Sequence, residues 1–85
     1  MQLKKGHFKL RFSGKIFESA RVIADNNSIV VNLVEFNDLA ELHRKVIYGR
    51  PAFCAVVPHE REIRFYPIAD QDYEIAVRSI NVLEE

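Results

Sequence analysis

The chain has 85 residues, twelve of them basic and twelve acidic, so its formal net charge is zero. This length suffices for one domain and not two, and residues 1–85 are expected to form a single domain. The neutral balance argues against a general nucleic-acid binder and against an acidic mimic of nucleic acid. One cysteine excludes an internal disulfide framework. No apolar run suits a signal peptide or a membrane span, so we expect a cytoplasmic protein without a membrane partner.

The N-terminal third predicts three strands. His7 to Ser13 alternates between an apolar face and a basic face, as a half-buried strand does. The apolar face carries Phe8, Leu10 and Phe12, and the basic face carries His7, Lys9 and Arg11. A turn at Ser13-Gly14 would return the chain as a second strand, Lys15 to Ile23, with a bulge near Ser19. Asp25 to Ser28 predicts another turn, and the apolar run Ile29 to Phe36 predicts a central strand covered on both sides.

The segment from Phe36 to Pro51 predicts a helix of about eleven residues. Asn37 and Asp38 are good N-caps, and Asp38 with Glu41 fits a capping box. Apolar residues recur at helical spacing as a stripe expected to be buried, formed by Leu39, Leu42 and Val46 with Ala40 and Ile47 beside them. The opposite face carries Glu41, Arg44, Lys45 and Tyr48, a secondary candidate for a contact surface. Gly49 as C-cap and Pro51 as a stop would end the helix.

The C-terminal half predicts two further strands and one ambiguous segment. Ala52 to Val57 is apolar on both phases, and Glu62 to Ile68 alternates, with Pro67 marking a strand end. Tyr73 to Leu83 fits a helix better than a strand, although both patterns are present. The order is therefore β-β-β-α-β-β-α, or the same with a final strand. We expect an α+β fold, in which a small, mostly antiparallel sheet has one or two helices packed on one face.

The sequence shows no catalytic or metal-binding constellation. His7, His43 and His59 are not spaced to close a metal site with one another or with Cys54. Cys54 lies in the run AFCAVV, which is typical of a small buried side chain with an inert thiol. We therefore expect no enzyme activity, no cofactor and no metal.

Charge is unevenly distributed along the chain. Residues 1–24 hold six bases and one acid, or +5; residues 25–50 hold four acids and three bases, or −1; residues 51–85 hold seven acids and three bases, or −4. A candidate basic binding patch consists of Lys4, Lys5, His7, Lys9, Arg11 and Lys15, and a candidate acidic patch consists of Asp70, Asp72 and Glu74. If the fold separates the patches, the field can steer a partner or a second copy. Alternatively, the two ends lie side by side and neutralise each other.

These features favour a small non-enzymatic protein-interaction module, such as an adaptor, an assembly domain or an inhibitor of a larger complex, with self-association as a further option. FKLRFSGK, FNDLAELHRKVIYG, AFCAVV and REIRFYPIADQDYEIAVRSIN resemble the strands and helices of the ubiquitin-like Phox-and-Bem interaction domains. The resemblance implies a basic contact at Lys9 or Arg11. That family's acidic motif is absent, and Ile16 to Glu35 replaces a shorter strand and loop, so we do not assign the chain to it.

The alternative hypothesis is a nucleic-acid-binding domain that uses the basic first hairpin. His7, Lys9 and Arg11 would project from one strand face and follow a phosphate backbone. Phe8 and Phe12 are predicted to face the core instead, where they could not stack on bases.

Overall fold

The computed structural model describes residues 1–13, 16–24, 26–57 and 60–80, with the backbone alone at Ile80. Nine strands and one helix lie in this described part of the chain. In chain order they are β1 (Gln2–Leu3), β2 (Lys9–Arg11), β3 (Ile16–Ala24), β4 (Asn27–Leu33), α1 (Phe36–Leu42), β5 (Tyr48–Gly49), β6 (Phe53–Val56), β7 (Glu62–Tyr66), β8 (Ile68–Ala69) and β9 (Tyr73–Ile80).

Seven of the strands form one sheet in the order β1-β9-β3-β4-β6-β7-β2, and this sheet is nearly closed and barrel-like. Neighbouring strands are antiparallel except β4 and β6, which are parallel and are joined through α1. The short strands β5 and β8 pair in parallel as a separate ribbon.

The N-terminal residues bring the two edges of the sheet together. β1 pairs with β9 at one edge, and β2 pairs with β7 at the other. The connecting residues are held by backbone hydrogen bonds, since Gly6 N donates to Ala69 O at 2.8 Å and Ala69 N donates to His7 O at 3.2 Å. One stretch of chain therefore serves both edges of the sheet.

The expected α+β fold with helices on one face of a small sheet is wrong, because the structure is mostly β with a single helix and a nearly closed sheet. The predicted first hairpin does not form, since β2 pairs with β7 while β3 pairs with β4 and β9. Residues 73–80 form a strand and not the favoured second helix; the remainder of that predicted helix lies outside the described residues. The observed order of strands and helix along the chain also differs from the order implied by the resemblance to Phox-and-Bem domains.

The helix is shorter than predicted and lacks the predicted caps. It spans Phe36–Leu42, its N-cap is Glu35, and no side chain makes a capping hydrogen bond. Gly49 belongs to β5 and does not end the helix. Leu39 is the one buried side chain among the seven of α1. The helix lies on the outer surface of β6 and β7, where a short helix meets the sheet along a single row of side chains.

Several local predictions are confirmed. The pairing of β3 with β9 shifts register between Phe17 and Ser19, at the predicted bulge. The turn between β3 and β4 contains Asn26 in the left-handed region at φ 66°, a conformation that asparagine tolerates. It is shorter than the predicted Asp25 to Ser28, because Asn27 and Ser28 belong to β4; Asp25 lies outside the described residues. β6 and β7 fall within the predicted strands. β4 is central as expected, but it is not covered on both sides, because Val30 is 55% exposed.

The apolar interior is divided into a main core inside the sheet and a smaller cluster outside it. The main core consists of Leu3, Phe12, Ala20, Val22, Val31, Cys54, Ile63, Phe65, Ala69, Tyr73 and Ile75. The outer cluster joins Leu39 to Ala55 and Tyr66, with Val34, Phe36 and Phe53 packed around them. Alternate side chains of β6 and β7 point inward and outward, so α1 covers the outward set.

Candidate functional site

A groove of about 380 Å³ runs along one side of α1. The helix contributes three lining residues, Phe36, Leu39 and Ala40, and its C-cap His43 is a fourth; their spacing of three and four places them on one face. The facing wall is formed by Phe8, Arg64 and Ile68, and Val46 lies at the end beyond the helix. The groove is therefore largely apolar, and Arg64 is the one residue with a permanent charge in its described lining.

His43 and Tyr66 hold the walls of the groove in place. The Nε2 of His43 lies 3.1 Å from the carbonyl oxygen of Phe65, and this nitrogen carries the hydrogen because a carbonyl only accepts. The His43 ring packs against the Phe8 ring at 5.1 Å and against the Tyr66 ring at 5.0 Å. The Tyr66 hydroxyl donates to the backbone oxygen of Lys45 at 3.0 Å. These contacts fix the turn after α1 against the sheet.

A cation lies over each aromatic wall of the groove. Lys9 Nζ is 5.2 Å from the centre of the Phe8 ring, and the guanidinium carbon of Arg64 is 5.3 Å from the centre of the Phe36 ring. Both distances fall within the range of cation–π attraction. Lys9 and Arg64 are also direct cross-strand partners, and Glu62 accepts a hydrogen bond from Arg64 Nε at 3.2 Å.

Two further hollows adjoin the groove. One, of about 240 Å³, is lined by Gly6, His7, Phe8 and Lys9, and it shares Phe8 with the groove. The other is an open hollow of about 700 Å³ that shares Phe36 with the groove. Its lining residues are Leu33, Val34, Glu35, Phe36, Asp38 and Val56. We call the three hollows together the track; it is basic at the Phe8 end and acidic at the Phe36 end.

Apolar side chains are exposed beside the groove. Val46 is 64% exposed and Tyr48 is 61% exposed, with the partly exposed Ile47 between them and Leu42 one turn earlier. The sequence stripe predicted that Ala40, Leu42, Val46 and Ile47 would be buried, and this prediction is wrong. Ala40 and Leu42 are exposed on a helix that buries only Leu39, and the chain leaves the helix after Leu42, before Val46 and Ile47. Clustered exposed apolar side chains mark contact surfaces more often than isolated ones do.

The predicted basic patch does not lie on one hairpin. Lys4, Lys5 and His7 follow β1, where they adjoin the predicted acidic patch of Asp70, Asp72 and Glu74; Lys15 lies outside the described residues. Lys5 N donates to Asp72 Oδ1 at 2.8 Å, and Glu74 is paired with Gln2 across β1 and β9. At these residues the two charged ends therefore lie side by side, which is the second of the two arrangements considered from the sequence. Lys9 and Arg11 lie on β2, across from β7, and Lys9 shares the 240 Å³ hollow with His7.

The predicted secondary surface is also rearranged. Glu41 and Arg44 form an exposed ion pair at 3.4 Å, whereas Tyr48 belongs to β5 and not to a helix. Lys45 follows the helix and contributes its backbone oxygen to Tyr66. Glu41, Arg44, Lys45 and Tyr48 therefore lie along α1 and the segment after it.

Sequence reasoning missed the aromatic and cationic residues of the groove. Phe8 was assigned to the core by its alternation, yet it is half-buried and lines the groove. Phe36 was read as the junction between a strand and the helix, and Arg64 was read only as a strand residue. The spacing of Phe36, Leu39, Ala40 and His43 was the available signal, and it would have identified one helix face.

Cys54 is fully buried, and burial raises the pKa of its thiol to about 11, so the thiol is protonated at neutral pH. Within the described ranges, no three His, Cys, Asp or Glu side chains are grouped so that they could hold a metal ion. The helix of the described chain is too short to cross a membrane.

The sequence and fold were compared with known protein families, curated proteins and solved structures, and none of the three comparisons gave a match.

Proposed function

We propose that this protein is a non-enzymatic, cytoplasmic protein-interaction module, and that its partner binds the groove beside α1. The observation that carries the proposal is the exposure of Val46, Ile47 and Tyr48 at the end of an apolar groove. Contact with water is unfavourable for these apolar side chains, and a partner that covers them removes their apolar surface from water, which favours binding. An adaptor, an assembly domain or an inhibitor would use such a surface.

The groove is suited to binding because its walls are already fixed. The His43 bond to Phe65 and the Tyr66 bond to Lys45 hold the groove without a ligand. A preformed groove loses little conformational freedom when a partner binds, which favours affinity. A partner side chain inserted in the groove against Phe8, Ala40 and Val46 would serve as an anchor, as buried apolar side chains do at the centre of many interfaces.

The proposal is tested by placing a charge beside the groove. Val46→Glu should abolish partner binding, and Val30→Glu is the matched control, because Val30 is similarly exposed on the sheet away from the groove. Wild type and both variants are used to capture partners from an extract of the source cells. A protein held by wild type and Val30→Glu, and lost with Val46→Glu, is then purified and titrated against all three. Circular dichroism confirms that both variants fold. Equal capture by the two variants would remove the groove as the binding site.

Nucleic-acid binding is the second candidate, and the position of Phe8 favours it. Phe8 is not in the main core, and its ring lies under Lys9 at the groove, so an aromatic ring and a cation are presented together. Titration with a short single-stranded oligonucleotide at two salt concentrations tests this. Binding that weakens steeply with salt and is lost in Lys9→Glu with Arg11→Glu would replace the protein-binding proposal.

A further inference from the structure

We infer that the occupant of the track is an extended peptide segment of a partner protein, with apolar side chains in its middle, acidic residues at one end and basic residues at the other. The inference rests on the proposed function, since it specifies the partner's chemistry at the same groove. It comes from the charged residues of the two hollows that adjoin the groove.

The middle of the segment is fixed by the apolar lining. Ala40, Val46 and Ile68 present aliphatic surface in the groove, and such surface favours an aliphatic or aromatic side chain over a polar one. Arg64 is occupied by the Phe36 ring and by Glu62, so it does not require an ion partner from the ligand.

The two ends are fixed by opposite charges. At the Phe8 end, Lys9 is exposed, with the exposed His7 in the same hollow, and they favour acidic residues. At the Phe36 end, Glu35 and Asp38 are exposed and favour basic residues. Complementary charges at both ends set the direction in which the segment lies and disfavour wrong partners.

The shape of the track favours an extended chain. Phe8 lines both the 240 Å³ hollow and the groove, and Phe36 lines both the groove and the 700 Å³ hollow, so the three hollows adjoin at these two residues. Alternate side chains of an extended peptide point the same way, so successive ones can enter successive hollows. A nucleic acid fits less well, because its uniformly negative backbone would meet Glu35 and Asp38 at one end. The faces of Phe8 and Phe36 nearest Lys9 and Arg64 are also covered by these cations.

Four synthetic peptides of equal length test the inference against isotope-labelled protein by amide NMR titration. Their patterns are acid–apolar–base, acid–apolar–acid, base–apolar–base and acid–serine–base. The first should bind best, with shifts at Ala40, Val46 and Ile68. The acid–apolar–acid and base–apolar–base peptides, in which the charges of one end are reversed, should bind about three- to tenfold more weakly, as expected for the loss of one or two exposed ion pairs. Replacing the apolar middle by serine should remove binding.

Charge-swapped proteins provide the decisive comparison, because loss of folding cannot mimic a change of preference. Lys9→Glu makes the Phe8 end acidic and should bind base–apolar–base best. Glu35→Lys with Asp38→Lys makes the Phe36 end basic and should bind acid–apolar–acid best. A ranking of the four peptides that is unchanged in both proteins would overturn the inference.

Two other results also overturn it: no binding by any of the four peptides, or tighter binding of a short oligothymidine at the same amides. Both results can be told apart from a failure of the proposed function, which is tested with Val46→Glu. If the peptides fail while Val46→Glu still loses a captured partner, the charge pattern alone is wrong. If Val46→Glu keeps every partner, the groove is not the interaction surface.

Discussion

Leu39 is the side chain through which α1 is attached to the sheet, and its truncation tests the helix packing directly. It is 1% exposed and packs with Ala55 and Tyr66 in the outer cluster. Replacing a buried leucine by alanine costs about 2–5 kcal/mol, partly through lost burial and partly through the cavity left behind. We expect about 3 kcal/mol for Leu39→Ala, because the cluster lies at the surface and can partly collapse.

This cost is large for a chain of this size. Small domains have unfolding free energies near the lower end of about 5–15 kcal/mol. Urea unfolding of such a domain has a slope of about 1 kcal/mol per molar urea, so the midpoint should fall by about 3 M. Circular dichroism follows the transition, and an unchanged slope shows that the native state remains compact.

Val46→Ala is the control that separates the observed structure from the stripe predicted by the sequence. A stripe of Leu39, Leu42 and Val46 packed on the sheet would make both truncations costly. The structure leaves Val46 64% exposed, so its truncation should change stability by at most about 0.5 kcal/mol. Similar midpoint shifts for the two variants, or a shift below about 1 M for Leu39→Ala, would refute the packing described for α1.

Three further predictions concern single contacts. Tyr66→Phe removes the hydroxyl that bonds Lys45 O, and urea unfolding should show a loss of about 1 kcal/mol. Burial raises the pKa of Cys54 from 9.0 to about 11, so the native state retains a proton that the unfolded chain releases. The unfolding free energy of the wild type therefore decreases as pH rises from 9.0 to about 11. Cys54→Ala should lack this decrease, and an equal dependence of unfolding free energy on pH in the two proteins would contradict the prediction. Asp72→Ala removes the acceptor for Lys5 N and should cost about 0.5–1 kcal/mol, whereas Asp72→Asn, which keeps an oxygen, should cost less.

Local features of the fold were predictable because their signals lie within a few residues. The bulge near Ser19 followed from a break in alternation, and the turn at Asn26 from side chains that tolerate left-handed backbone. β6 and β7 followed from short apolar and alternating runs. In each case the physical cause acts between neighbours in the chain.

Strand partners were not predictable from the same patterns. The alternation around Lys9 shows that a strand has two faces, but it does not say that the strand pairs with β7 about fifty residues later. Residues 73–80 carry apolar side chains at both helical and strand spacing. They form a strand because β1 and β3 pair with them on both sides, and tertiary pairing overrides local preference.

The exposure of apolar residues was also beyond the sequence patterns. A run such as Ile29 to Phe36 predicts burial on both faces, but the outside of a nearly closed sheet is covered only where another element lies. α1 covers β6 and β7 and leaves Val30 on β4 exposed. The groove exists for the same reason, since a short helix cannot cover the whole outer face.

The sequence sums of +5 and −4 do not produce two separated poles, and this leads to a prediction about self-association. β1 pairs with β9, the backbone N of Lys5 donates to Asp72, and the N-terminal ammonium lies 3.4 Å from Glu74 Oε1, so the oppositely charged ends lie side by side. Head-to-tail association driven by these ends should therefore be absent. Light scattering at low and high salt should give the monomer mass of 9.9 kDa in both. A larger mass at low salt that is lost in Lys4→Glu with Lys5→Glu would show that the ends are free to attract a second copy.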